Sequence, residues 1–191
     1  MGRQRVGVLA LQGAFAAHTE VLTRLGAEAV EVRVPGDLRG LCSLVMPGGE
    51  STTMSKLLDS SGLFAALDER FRGGFPVFGT CAGLILLASR VLDGRPDQRS
   101  FSALDVTVRR NAYGRQVDSF EADLEVSGLD HAFPAVFIRA PLITEYGSGV
   151  EVLASLDQQA VLVRQGAVMA ASFHPELTGD GGLHQLFLSE I

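Results

Sequence analysis

The chain holds two cysteines, and one stands between glycines where two apolar runs meet: Gly79-Thr80-Cys81-Ala82-Gly83, inside "FPVFGTCAGLILLA". The G-x-C-x-G spacing is that of a strand–turn–helix elbow that exposes a nucleophile, with cysteine in place of serine. The glycines permit a cramped turn and close approach of backbones. A helix starting directly behind Cys81 favours negative charge at its N-terminus, and so favours thiolate. The Ala82 N–H leaves that same terminus and is placed to stabilise an oxyanion. The bland alternative is a buried structural cysteine, the commoner fate of the residue. Cys42, in "GLCSLVM", has no glycine elbow and is expected to serve packing.

A thiolate enzyme also needs a histidine within reach and a group that holds that histidine. Of the four histidines, His18 and His184 fall on the first and last predicted helices, as surface or core polar residues. His131 sits in a Leu-Asp-His-Ala turn and is expected to be solvated. His174 differs, because it ends the apolar stretch "AVMAASF" and begins "HPEL". On extended backbone, residues i and i+2 point the same way, and Pro175 biases His174 toward an extended conformation. Glu176 can then accept from one ring nitrogen while the other faces Cys81, which is triad logic with cysteine and glutamate. The competing reading is a polar strand end followed by a turn proline. A third piece is "MPGGEST" (residues 46–52), where two glycines after a short strand leave backbone N–H groups uncovered. Gly49 is placed there to supply a second oxyanion donor. A phosphate-binding loop is the rival reading, but the lysine of a Walker motif is absent.

Elements must bring these pieces together. "VGVLAL" is a continuous apolar run, as expected of a strand covered on both faces. "HTEVLTRLGA" has helical spacing and a stop at Gly26. "AVEVRV", "SLVM" and "PVFGT" read as strands, "TTMSKLLDSSGLFAALDERF" as one broken or two short helices, and "AGLILLASRVL" as a helix. This alternation predicts a parallel sheet with helices on both faces, in which ligands sit beyond the carboxyl ends of the strands. After Gly94 the texture changes to closely spaced strands: "ALDVTVRR", "DSFEADLEV", "AVFIRAPLI", "VEVLASL", "QAVLVRQ" and "AVMAASF". These predict antiparallel or mixed sheet, and "GLHQLFLSEI" closes the chain as a helix. The fold class is α/β, a three-layer sandwich around a mostly parallel or mixed sheet, in one domain over residues 1–191.

The bulk numbers narrow the function classes. With 191 residues, 47% hydrophobic and 20% charged, the chain is globular. A net charge of −6 with no run of Lys or Arg offers no stripe for a nucleic-acid backbone. Arg3 and Arg5 before "VGVLALQGAFAA" loosely imitate a signal peptide, but Gln12 and Gly13 interrupt the apolar run. No stretch reaches the roughly 20 apolar residues of a spanning helix. Two cysteines do not make a disulfide framework, so the default compartment is a reducing cytoplasm.

The ordered set of glycine loop, G-x-C-x-G elbow and H-P-E after a late strand resembles the class I glutamine amidotransferases. The likeness is finer still: "LALQGAF", "PGGESTTM", "FGTCAGLI", "RNAYGRQVDSFEADL", "FIRAP" and "SFHPELT" resemble the glutaminase subunits of two-protein pyridoxal 5′-phosphate synthases, in order, from Val6 to the final helix. The resemblance implies that Cys81 attacks the side-chain carboxamide of L-glutamine, that His174 relays protons and that Glu176 orients it. It implies a glutamine site drawn from Gly49, Glu50 and Ser51, from Arg110, and from Ile138 and Arg139. An arginine fork suits the substrate carboxylate and a carboxylate such as Glu50 suits its ammonium, though which group meets which stays open. No metal or cofactor is implied. The implied partner is a (β/α)8-barrel synthase subunit, in a large hetero-oligomer, that takes the ammonia and sets the oxyanion loop on docking. Gln12, on the same rim as Cys81, is a candidate to couple docking to that loop.

One region departs from the family pattern. Residues 93–106, "DGRPDQRSFSALDV", are more polar and differently spaced, and are expected to affect only local surface contacts. Two rivals remain at this point. One is an amidotransferase for another acceptor, which "GGESTTM" and the "RNAYGRQVDSFEADL" stretch oppose. The other is a redox sensor in which Cys81 oxidises reversibly, which leaves "HPE" without a role.

Overall fold

The structure is a computed structural model that describes residues 3–110 and 119–191. The first half alternates as its apolar periods require: β1 (Arg5–Leu9), α1 (Phe15–Arg24), β2 (Glu28–Val32), β3 (Ser43–Met46), α2 (Ser51–Ser60), α3 (Leu63–Arg72) and β4 (Val77–Thr80). The ambiguous stretch after "PGGE" is two helices, broken at Gly62, which sits in the left-handed region with φ 76°. The helix behind Cys81 is shorter than the sequence suggests. α4 covers only Ala82–Leu87, and the chain turns at Ala88 into β5 (Ala88–Leu92). All six α4 residues are buried. "SRVL" leaves the core and pairs with a neighbouring strand, which an apolar run alone does not reveal.

The remaining strands are β6 (Leu104–Arg109), β7 (Ser119–Leu124), β8 (Phe133–Ile138), β9 (Leu142–Tyr146), β10 (Glu151–Leu156), β11 (Gln159–Gln165) and β12 (Val168–Ala171), and α5 (Gly182–Ser189) ends the chain. "AVFIRAPLI" is therefore two strands, not one. Arg139, with φ 43°, bends the chain between them ahead of Pro141.

A seven-stranded sheet runs β10-β11-β12-β4-β3-β1-β2. Its β12-β4-β3-β1-β2 part is parallel, and β10 and β11 extend it antiparallel. Side chains alternate across it. Leu44, Met46, Val77 and Ala170 join the core formed with α2, α3 and α4, whereas Val45, Phe78, Met169 and Ala171 join the core formed with α1 and α5. Those two cores on one sheet make the three-layer sandwich. A small sheet, β5-β6-β9, packs beside the first core, and the β7-β8 hairpin packs on the second. The carboxyl ends of β1, β3, β4 and β12 lie side by side, so four separate chain segments open onto one rim.

Candidate active site

Cys81 follows β4 at that rim. Its φ of 48° and ψ of −99° lie outside the regions an L-residue ordinarily occupies. Both ends of the residue are tied. Its N–H donates to the Ala171 carbonyl at 2.9 Å, and its carbonyl accepts the Ile85 N–H at 3.3 Å. Gly83 makes the turn possible: a Cβ there would run into the Met46 carbonyl at the end of β3. Ala82 is the buried first residue of α4, so its N–H starts directly behind the sulfur.

His174 arrives from the end of β12. Its backbone N–H donates to Val136 in β8 at 2.8 Å. Its Nδ1 lies 2.8 Å from Glu176 Oε1, and a carboxylate can only accept, so Nδ1 carries the proton. The two side chains do meet, but not along an extended strand: a 3-10 turn over Pro175–Leu177 folds Glu176 beneath the ring. With Nδ1 committed, Nε2 remains for Cys81. Burial by itself would lower the His174 pKa. Interactions with the Cys81 sulfur and with Glu176 outweigh it and raise the value to about 10. The pair is thus poised as imidazolium beside sulfur, with the Glu176 side chain fully buried behind it.

The glycine loop closes the other side. The Gly48 carbonyl accepts the Ala14 N–H at 3.1 Å, which fixes the Gly48–Gly49 peptide plane and turns the Gly49 N–H away from α1. Gln12 supports the loop from β1, its Oε1 accepting the Glu50 N–H at 2.8 Å. Gly48 is a residue the sequence reading passed over. A Cβ there would stand 2.9 Å from His174 Nδ1 and 3.4 Å from the Cys81 Cβ, so only glycine lets the loop lie against the two reactive side chains.

Cys81, His174, Gly49, Glu50, Ser51, Arg110, Ile138 and Arg139 all line one cavity of about 370 Å³. Glu176 lies behind His174, and Ala82 does not line it. The proposed carboxylate and ammonium binders are engaged with each other: Arg110 Nη2 is 3.1 Å from Glu50 Oε1. Glu50 also caps α2 by accepting from the Thr52 and Thr53 N–H groups. Its partial burial favours the neutral acid, but bonds from Thr53 and Thr52 prevail and hold its pKa at about 2.

Residues 93–106 do more than shape the surface. Gln98 donates to Ser51 Oγ at 3.2 Å and accepts from Arg110 Nη1 at 2.9 Å and from Thr52 Oγ1 at 3.3 Å. The segment is pinned behind Gln98 by Phe101, stacked on Phe64 with centroids 4.4 Å apart. A single glutamine in a polar loop gives no periodic signal, so nothing in the sequence marked it. Cys42 is also corrected: it is exposed, and its thiol donates to the Arg5 carbonyl at 3.1 Å instead of packing in the core. His18 and His184 are fully buried polar residues. His131 is half exposed and bridges Asp130 and Asp180. Residues 111–118, within the "RNAYGRQVDSFEADL" stretch, lie outside the described residues.

The model of the SNO glutamine amidotransferase family matches residues 8–191. The chain belongs to that family. It is 56% identical over 186 residues to the pyridoxal 5′-phosphate synthase subunit PdxT of Mycobacteroides abscessus, covering 97% of this chain and 96% of that one. To the subunit of the same name from Deinococcus radiodurans it is 54% identical, covering 96% and 95%. A crystal structure of a glutamine amidotransferase superposes with a TM-score of 0.92 at 54% identity over 97% of both chains. The PurLQS structure from Thermotoga maritima superposes with a TM-score of 0.72 at 16% identity, covering 98% of this chain and 99% of that one. That match reflects the fold alone.

Proposed function

We propose that this chain hydrolyses L-glutamine to L-glutamate and ammonia as the glutaminase subunit of a pyridoxal 5′-phosphate synthase. The observation that carries the reading is His174, held by Glu176 at 2.8 Å, beside a strained Cys81 on the wall of a cavity that Glu50, Arg110 and Arg139 also line. In the first half-reaction the Cys81 thiolate attacks the carboxamide carbon. The Gly49 and Ala82 N–H groups take the developing oxyanion. His174 gives its proton to the leaving nitrogen, the C–N bond breaks, and ammonia departs from a glutamyl thioester. In the second half, water gives a proton to His174 and adds to the thioester. The C–S bond breaks, and glutamate leaves the regenerated cysteine. Glu176 keeps the ring oriented throughout.

Gly49, Glu50, Ser51, Arg110, Ile138 and Arg139 hold the amino-acid end of the substrate. Because Glu50 and Arg110 already pair, binding glutamine exchanges one ion pair for two and leaves no isolated charge. The partner is a (β/α)8-barrel synthase subunit in a large hetero-oligomer, which receives the ammonia. The subunit names of the relatives support such a partner. Gln12, whose side chain accepts the Glu50 N–H of the oxyanion loop, couples docking to that loop. The chain works as one domain, and its two cysteines, which form no disulfide framework, suit a reducing cytoplasm. Among the described residues no helix is long and apolar enough to cross a membrane.

Treatment with a glutamine-analogue electrophile tests this. Mass spectrometry should find the adduct on Cys81, and His174→Ala should abolish it. Since Cys42 is exposed, labelling there alone would end the proposal. Glutamate release should rise when the barrel subunit is added, and no rise would remove that partner.

A further inference from the structure

Glu176 has two oxygens and the triad uses one. Oε2 is buried and, among the described residues, receives no well-formed hydrogen bond. What faces it is His18 Nε2, 3.3 Å away on α1. The same Nε2 lies 3.2 Å from Oγ1 of Thr80, the residue before Cys81. His18 Nδ1 in turn lies 2.9 Å from His184 Nε2 on α5. His184 Nδ1 has no partner among the described residues. His18, His184 and Thr80 are all fully buried.

The two rings are neutral at neutral pH. Burial, reinforced by His184 and His174, pushes His18 well below its ordinary value. Burial and then Arg24 hold His184 at about 4. Each ring therefore carries one proton, and the 2.9 Å contact between them allows two arrangements. If His18 holds its proton on Nδ1, the ionised oxygen of Glu176 faces a lone pair. His184 is then left with a buried N–H that has no acceptor, and such unmade bonds are the expensive kind. If both protons sit on Nε2, His184 donates to His18, and His18 donates toward Glu176 Oε2 and Thr80. The only group left over is a bare lone pair on His184 Nδ1. The second arrangement runs both donors from α5 through α1 toward Glu176, which accepts from His174 Nδ1 on its other oxygen.

We infer that His18 and His184 are positioning residues of this active site, a neutral pair protonated at Nε2 whose donation toward the far oxygen of Glu176 keeps that carboxylate aimed at His174. The inference rests on the glutaminase reading of the same site. Among the described residues, Glu176 is met by His174 from its own turn and His18 from α1, and Thr80 from β4 meets His18. Cys81 acts through His174, and Arg24 acts through His184. Removing the His18 donor leaves that buried oxygen with no N–H facing it and frees the carboxylate to turn away from His174.

Three variants and one spectrum test it, with the synthase subunit present in the kinetic arms. His18→Gln places an amide N–H near Nε2 and should keep kcat within about threefold of wild type, whereas His18→Leu should lose about tenfold or more. In His18→Leu, KM should stay nearly constant, so that the loss falls on kcat. His18→Asn, whose amide mimics Nδ1 instead, should behave like His18→Leu. A merely structural histidine would not separate glutamine from asparagine or confine the loss to kcat. Independently, 15N-histidine NMR of the wild-type chain should show His18 and His184 as Nε2–H tautomers at pH 7. An Nδ1–H or doubly protonated His18 overturns the inference whether or not any variant folds, and so does His18→Leu with wild-type kcat. Wild type that releases no glutamate sinks the glutaminase reading instead, and the NMR result still decides the proton positions.

Discussion

Gly48→Ala is the perturbation that separates steric control of this site from stability. Gly48 does not have a left-handed φ, so alanine can adopt its backbone and the effect is one of space alone. The new Cβ would stand 2.9 Å from His174 Nδ1 and closer still to Cε1. The Nδ1 contact falls about 0.6 Å or more short of ordinary van der Waals separation. Neither side has room to retreat. The ring is tied at Nδ1 to Glu176 at 2.8 Å, and its backbone is tied to Val136 at 2.8 Å. The Gly48 carbonyl is bound by Ala14 at 3.1 Å. The ring and loop must together yield by something near 1 Å, a misplacement that costs on the order of 100-fold in rate. The assay is initial glutamate release with the synthase subunit at saturating glutamine, beside thermal unfolding of the same preparations. Expected are a kcat about 100-fold lower and a stability loss of about 1–3 kcal/mol from overpacking. Gly26→Ala is the control: Gly26 has φ 88° and no atom within 4 Å of a built Cβ. It should cost about 1–2 kcal/mol through conformation alone and leave the rate untouched. A Gly48→Ala enzyme within about threefold of wild type would refute the argument, because a forced shift of catalytic atoms cannot be that cheap.

Other perturbations read other parts of the site. Glu50→Ala removes the α2 cap and should cost about 1 kcal/mol near neutral pH. The Glu50 pKa is depressed from 4.5 to about 2. Its stabilisation is therefore present above pH 4.5 and is lost as pH falls through about 2, so denaturant titrations of wild type and variant should converge in strong acid. Gln98→Ala unties Ser51, Thr52 and Arg110 without touching Cys81 or His174. It should raise KM for glutamine by about tenfold with kcat little changed, and an unchanged KM would show that the three hold themselves. The His174 pKa is raised from 6.5 to about 10, so stabilisation by its charged form is complete below pH 6.5 and fades as pH rises through about 10. Wild-type melting temperature should fall across that window, and the His174→Gln profile should be flatter.

How much of this was legible in the chain depends on what kind of signal each residue leaves. The strands that carry Cys81 and the glycine loop are buried on both faces, so "SLVM" and "PVFGT" appear as unbroken apolar runs and their ends mark the rim. The Cys81 elbow is local, five residues long, and its glycines announce it. "AGLILLASRVL" failed as a single helix because an all-buried segment has no polar face to show where the helix stops. Gln98, Gly48, His18 and His184 were not recognised as parts of the site for a common reason. Their roles exist only across the fold, where Gln98 meets Ser51 from 47 positions away and His18 meets His184 from 166. A lone polar residue on a helix looks alike whether it faces water or a buried carboxylate. Cys42 misled in the opposite sense. Its neighbours Leu41 and Ser43 are buried, but the chain presents Cys42 itself to solvent.

The location of strain follows from the same topology. Two of the non-glycine residues with left-handed φ, Cys81 at 48° and Arg139 at 43°, line the cavity. Each such residue costs on the order of 1–3 kcal/mol and persists only where its surroundings over-determine it. Cys81 is over-determined by the parallel pairing of β12 with β4 and by the close packing of Gly83 on Met46. The sheet that places His174 is thus also the sheet that bends the chain at the sulfur. β12 supplies the carbonyl of Ala171 to the Cys81 N–H and, three residues later, the imidazole. Cys81 and His174 therefore cannot drift independently, because any slip of β12 against β4 moves both. Of the parts facing the substrate, the glycine loop is attached differently, through Ala14 and the Gln12 side chain rather than by strand pairing. It is therefore the part of the site that can change shape without disturbing the Cys81–His174 pair.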